Sequence, residues 1–101
     1  MKNILLICGS GASSGFMAAA IRKAAKKRGE TISVKAASES QLDERINEID
    51  YLLIGPHLSY MLNDLTEQVK DKHVKAAVVP QNIYGSLNGE KALDLVLSLE
   101  D

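Results

Sequence analysis

The strongest constraint on this fold is an alternation, repeated four times, of a short apolar run with a segment of helical period. Residues 3–8 (Asn-Ile-Leu-Leu-Ile-Cys) and 51–54 (Tyr-Leu-Leu-Ile) are continuous apolar runs, the pattern of a strand covered on both faces. Residues 31–37 alternate, with Ile32, Val34 and Ala36 apolar against Ser33 and Lys35, which predicts a half-exposed edge strand. Residues 74–79 form a fourth strand, marked as outer by Lys75 and closed by Pro80. Phe16, Met17, Ala20, Ile21, Ala24 and Ala25 recur at helical spacing, with Ser13 or Ser14 as cap and Gly29 as stop. Ser38 with Gln41 reads as a capping box before a helix carrying Leu42, Ile46 and Ile49. Beyond Gly55-Pro56, a third helix carries Leu58, Met61, Leu62, Leu65 and Val69. A loop through Tyr84-Gly85 leads to a last helix, capped by Asn88, with Leu93, Val96 and Leu97 inward.

Strands alternating with helices predict an α/β fold: a three-layer α/β/α sandwich whose parallel sheet has helices on both faces. The two fully apolar strands belong in the centre and the two lysine-bearing strands outside, so the four-stranded order is 2-1-3-4. The direction of travel then reverses between strands 1 and 3, and ligands of such sheets bind beside that switch point, at the carboxyl ends of the strands. Two loops meet there, at 8–14 and 55–59. With 101 residues, the chain is expected to be a single domain over 1–101.

Composition narrows the chemistry. Twelve basic and thirteen acidic residues give a net charge of −1, which argues against general nucleic-acid binding. Arg22, Lys23, Lys26, Lys27 and Arg28 form one basic cluster, read as a solvated helix face or as a docking face for an acidic partner. Cys8 is the sole cysteine, so a disulfide within the chain is excluded. A lone cysteine without a secretory leader fits a reducing cytosol. No apolar run approaches the roughly 20 residues of a membrane span, and no cofactor or metal is expected.

The segment Cys8-Gly9-Ser10-Gly11-Ala12-Ser13-Ser14 carries the chemistry. Backbone N–H groups of a glycine-rich turn running into a helix start form a donor cradle for an anion. Gly9 and Gly11 permit the turn, and Ser10, Ser13 and Ser14 add hydroxyl donors. The same dipoles favour a thiolate at Cys8. A nucleophile thus stands where phosphoryl oxygens would be held. The plainer alternative is a small buried core cysteine.

Other phosphate motifs fail on spacing. A dinucleotide fingerprint needs glycine or alanine where Ser14 stands. A P-loop starting at Gly9 needs glycine and lysine where Ser14 and Gly15 stand. A cysteine phosphatase of the low-molecular-weight type places arginine six residues after its cysteine, again the position of Ser14. The nearest arginine, Arg22, lies two helical turns on and is expected to point outward. Without a guanidinium fork the loop lacks a bidentate grip on a transferring group, and Asp64 lies too far along helix 3 to serve as an acid. Such a site would hold phosphate on sulfur and pass it on. A degenerate cysteine hydrolase and a non-catalytic, phosphate-sensing regulatory domain remain as alternatives.

The Cys8 loop resembles the phosphocysteine loop of enzyme IIB of the bacterial sugar phosphotransferase system, lactose/cellobiose type. Residues 52–62, Leu-Leu-Ile-Gly-Pro-His-Leu-Ser-Tyr-Met-Leu, are similar to that family's Gly-Pro-Gln-x-x-Tyr-Met-Leu segment, with His57 in place of glutamine. Tyr84-Gly85 followed by Asn88-Gly89 resembles its Tyr-Gly-x-x-x-Gly. The resemblance runs nearly end to end. It implies that Cys8 is the phosphorylated nucleophile and that residues 9–14 hold the phosphoryl oxygens. It implies a phosphohistidine donor on enzyme IIA and a disaccharide acceptor, of the cellobiose, lactose or chitobiose class, moving through the membrane transporter IIC. It also implies a cytoplasmic location, with peripheral membrane association through IIC. His57 reads as a polar helix-start residue or, alternatively, as a hydrogen-bond partner of the phosphoryl group; His73 is expected at the surface, and Tyr60 and Met61 as packing residues, with Tyr60 also within reach of the second loop; Tyr84 lies beyond strand 4.

Overall fold

The computed structural model describes residues 2–7, 14–38 and 41–99. Its elements follow the sequence order closely: β1 (Lys2–Ile7), α1 (Ser14–Arg28), β2 (Ile32–Ala37), α2 (Leu42–Arg45), β3 (Tyr51–Ile54), α3 (Leu62–Val69), β4 (Lys75–Val78), α4 (Gln81–Gly85) and α5 (Gly89–Ser98). Short 3-10 turns follow α2 (Ile46–Glu48), precede α3 (Pro56–Met61) and follow it (Lys70–Lys72). The strands form one parallel sheet in the order β2-β1-β3-β4, the order the burial of each run predicts.

Alternation along the central strands sends side chains into two cores. Ile4 and Leu6 of β1 and Tyr51 and Leu53 of β3 face one layer, where Met17, Ala18 and Ile21 of α1 meet Tyr84, Ala92 and Val96 of α4 and α5. Leu5, Ile7, Leu52 and Ile54 face the other, with Leu42, Ile46, Leu58, Leu65 and Val69 from α2, α3 and the adjoining turns. Both faces are covered, so β1 from Ile4 to Ile7 and all of β3 are apolar and buried, while Lys2 and Asn3 at the start of β1 are half-buried. At the edge, β2 buries Val34 and Ala37 but exposes Ala36. The expected strict alternation therefore breaks at its end.

Helix ends follow local chemistry. Gly29 adopts φ 73, and the Glu30 and Gly29 N–H groups donate to Ala25 and Lys26 carbonyls at 2.9 and 3.2 Å. These are the two bonds of a Schellman stop. The end of α4 repeats that pattern, with Asn88 N–H donating to Ile83 and Leu87 N–H to Tyr84, but the left-handed residue is Leu87, φ 53. Asn88 Oδ1 then accepts from the Lys91 N–H at 3.1 Å and caps α5 as expected. The Gln41 side chain accepts from the Ser38 N–H at 3.1 Å, the glutamine half of the expected capping box. The helix it opens is a single turn, and Ile49 is extended.

α5 runs beside α1 in the same direction. Leu93 packs with Ala24 and Ala25, and Arg28 donates to Glu90 and Asp94 carboxylates at 2.8 Å each. These bonds, chiefly the one to Asp94, hold the Arg28 pKa above its ordinary value. At Gly89 the helices touch: a Cβ there would lie 2.1 Å from the Ala20 carbonyl oxygen. Both helices run antiparallel to the strands, so α5 ends near the edge of the sheet where β1 begins. Two sequence expectations fail on this layer. Phe16, assigned to the inner stripe of α1, is 68% exposed. The segment assigned as a loop through Tyr84-Gly85 is the helix α4, with Tyr84 buried.

Candidate functional site at the carboxyl edge of the sheet

The carboxyl edge is held together by ladder bonds that continue past the strands. Gly55 N–H donates to the Ile7 carbonyl and Val79 N–H to the Ile54 carbonyl, both at 2.8 Å. Ile7, Ile54 and Val78 are in register, so the three strands end side by side. β1 ends at Ile7 in the middle of the sheet, and the 15-residue helix α1 starts at Ser14. The first N–H groups of that helix have no partners within it, and they carry the positive end of its dipole.

Of the predicted site residues, Cys8, Gly9, Ser10, Gly11, Ala12 and Ser13 lie outside the described residues. Ser14 is the first residue of α1 rather than the residue before it. The second predicted loop starts at Gly55, which is buried, and Pro56, the first residue of a 3-10 turn. Proline suits that position because its missing N–H has no partner there to lose.

His57 follows, exposed at the start of that turn. Its ring meets Tyr84 edge to face, with centroids 5.9 Å apart and planes at 76°. The segments after β3 and β4 are thereby joined at this edge. Sequence reasoning left Tyr84 without a place. The short α4 that delivers it carries no apolar stripe long enough to betray a helix. Tyr60, expected to pack, is 78% exposed, whereas Met61 is half-buried against the core. His73 is exposed, as expected, at the far end of α3, with φ 59.

Arg22 is not a free outward charge. Its Nη1 donates to the Val34 carbonyl on the open side of β2 at 2.8 Å, satisfying an edge group that would otherwise invite pairing. It is committed there, and Asp64 is exposed along α3.

A cleft of about 630 Å³ lies at the opposite, amino edge and is lined by Lys2, Glu30, Thr31, Asp50, Tyr51, His73 and Lys75. None of the predicted site residues is among them. In sheets of this order ligands bind at the carboxyl edge, where the topology reverses. Among the described residues no three or more His, Cys, Asp or Glu side chains converge as a metal site, and no helix is long and apolar enough to cross a membrane.

Comparison with known proteins agrees with this architecture. Residues 3–95 match the family described as the lactose/cellobiose-specific IIB subunit of the PTS system. The oligo-beta-mannoside-specific EIIB component of Bacillus subtilis is 30% identical over 98% of this chain and 96% of its own length. The lactose-specific EIICB component of Lacticaseibacillus casei is 31% identical over 95% of this chain but only 17% of its own length. In fold, the lactose-specific IIB component domain from Streptococcus pneumoniae superposes with a TM-score of 0.89 over 99% of this chain and 98% of its own, at 16% identity. With one family spanning nearly the whole sequence and the same sheet order predicted and observed, this chain belongs to the lactose/cellobiose-specific IIB subunits of the sugar phosphotransferase system.

Proposed function

We propose that this chain, as one IIB-type domain over residues 1–101, carries a phosphoryl group on Cys8. The Cys8 thiolate attacks the phosphorus of a phosphohistidine on enzyme IIA. The N–P bond breaks as the S–P bond forms, and the imidazole leaves neutral after taking a proton. A hydroxyl of a disaccharide bound in the transporter IIC then attacks the same phosphorus and gives up its proton. The S–P bond breaks and the thiolate returns. Gly9, Ser10, Gly11, Ala12, Ser13 and Ser14 supply N–H and hydroxyl donors to the phosphoryl oxygens. The chain works in the cytoplasm and meets the membrane through IIC; the sugar is a disaccharide of the cellobiose, lactose or chitobiose class.

The observation that carries this reading is the placement of the segment 8–13 between the carboxyl end of a central strand and the start of α1, in a member of this family. A hydrolase reading finds less support, because Arg22, the nearest arginine after the cysteine, is tied to the edge strand and cannot clamp a phosphate.

The test is phosphorylation by IIA charged through its upstream donors. Wild type is expected to take up one phosphoryl group per chain, with the phosphorus NMR signature of a thiophosphate, and Cys8→Ser to take up none on sulfur. A wild-type chain that stays unlabelled beside fully charged IIA, or label that persists in Cys8→Ser at another residue, refutes the proposal.

A further inference from the structure

α1 carries more positive charge than its packing uses. Arg22 is tied to Val34 and Arg28 to Glu90 and Asp94. Among the described residues, Lys23 and Lys27 make no ion pair. They share one stripe of the helix with Phe16 and Ala20, at successive offsets of four, three and four residues. Lys23 and Lys27 form one wall of a groove of about 390 Å³ whose other wall includes Leu87 and Asn88.

Leu87 is the unusual member. It holds a left-handed backbone angle where glycine is favoured, yet its side chain is 41% exposed. Burial does little to offset that strain, and strain that persists at a surface points to use of the side chain. Phe16, at the head of the stripe, is two residues beyond the start of α1 and stands next to the 8–13 loop in sequence. Leu87, one of the large exposed apolar side chains among the described residues, thus lines the groove with two lysines that make no ion pair, and the exposed Phe16 lies on the same helix stripe, two turns from Lys23.

We infer that this groove docks the phosphodonor subunit through an acidic segment with an apolar centre. The inference rests on the reading of Cys8 as phosphoryl acceptor. Charge selects the donor over the transporter. Cytoplasmic loops of membrane proteins carry an excess of lysine and arginine, so IIC would meet Lys23 and Lys27 with like charge. A freely diffusing donor with an acidic patch would be steered toward them. Docking on this stripe also brings the donor against the end of α1 that adjoins Cys8.

The experiment measures the rate of Cys8 phosphorylation against the concentration of charged IIA. Lys23→Glu with Lys27→Glu is expected to raise KM about tenfold at low salt, with the saturating rate within about twofold, and the difference is expected to shrink at high salt. Leu87→Gly is expected to raise the melting temperature while raising KM about threefold, a combination that a merely structural role would not produce. Lys72→Glu, on the opposite layer, changes neither. Unchanged KM in both groove variants overturns the inference. So does binding of wild type to phosphatidylglycerol vesicles that the double variant loses while its KM stays constant, since the groove would then face lipid. If wild type forms no thiophosphate, the reading of Cys8 fails. A titration with uncharged IIA then decides the groove separately: amide shifts at Phe16, Lys23 and Leu87 uphold docking, and their absence refutes it.

Discussion

At Gly89 a hydrogen atom is the only side chain that fits. A Cβ would lie 2.1 Å from the Ala20 oxygen, 2.4 Å from its carbonyl carbon and 2.9 Å from the Ile21 nitrogen. All three are backbone atoms, so no rotamer change relieves the contact. Gly89→Ala is expected to force α5 away from α1 and to cost about 1–3 kcal/mol, a fall in melting temperature of several degrees. A calorimetric scan that overlays wild type would show that the two helices do not approach so closely. The glycine is visible in the sequence, but its reason is not. It depends on backbone atoms 69 positions earlier in the chain, which no local pattern encodes. Phe16 illustrates the same gap from the other side. Spacing alone put it on the apolar stripe with Met17, but one helix position is 100° of rotation, and only the packed helix tells which of two adjacent apolar residues turns inward.

Among the elements, those with their own start and stop chemistry were legible. Gly29, Gln41 and Asn88 do at their helix ends what their side chains and backbone freedom suggest. Asn88→Ala removes the acceptor for the Lys91 N–H and is expected to destabilise the domain by about 1 kcal/mol. Urea titration at constant m-value would read this, and an unchanged midpoint would assign the capping to water. Elements shorter than two turns were misjudged: the helix predicted through Ile49 stops at Arg45, and the segment read as a loop through Tyr84 is helical. α2 is four residues and α4 five, too few for a period to declare itself, and both depend on the sheet for stability rather than on propensity. Missing α4 also hid the contact it makes possible, because it delivers Tyr84 to His57.

For the molecule as a whole, the burial of each strand was enough to fix its place. Strands with a continuous run of four apolar residues, 4–7 and 51–54, had to be central, and strands with a lysine within or beside a shorter run had to be outer, which left one order of β2-β1-β3-β4. Hydrogen exchange should reproduce that ranking. Amides of β1 and β3, paired on both sides and buried, are expected to exchange only through near-global opening, and those of β2 and β4 through cheaper local events. Slower exchange in β4 than in β1 would contradict it. The switch point between β1 and β3 was likewise legible, since it follows from the order alone. The pairing of His57 with Tyr84 was not, because it depends on how two short turns fold over the same edge. The shared direction of α1 and α5 has a further consequence for how such a domain can be strung to others. β1 starts, and α5 finishes, at the end of the sheet away from the 8–13 loop. A covalent tether leaving Lys2 or Leu99 would therefore depart from the rear of the molecule. Such a leash would leave the carboxyl edge of the sheet, with His57 and Tyr84, uncovered.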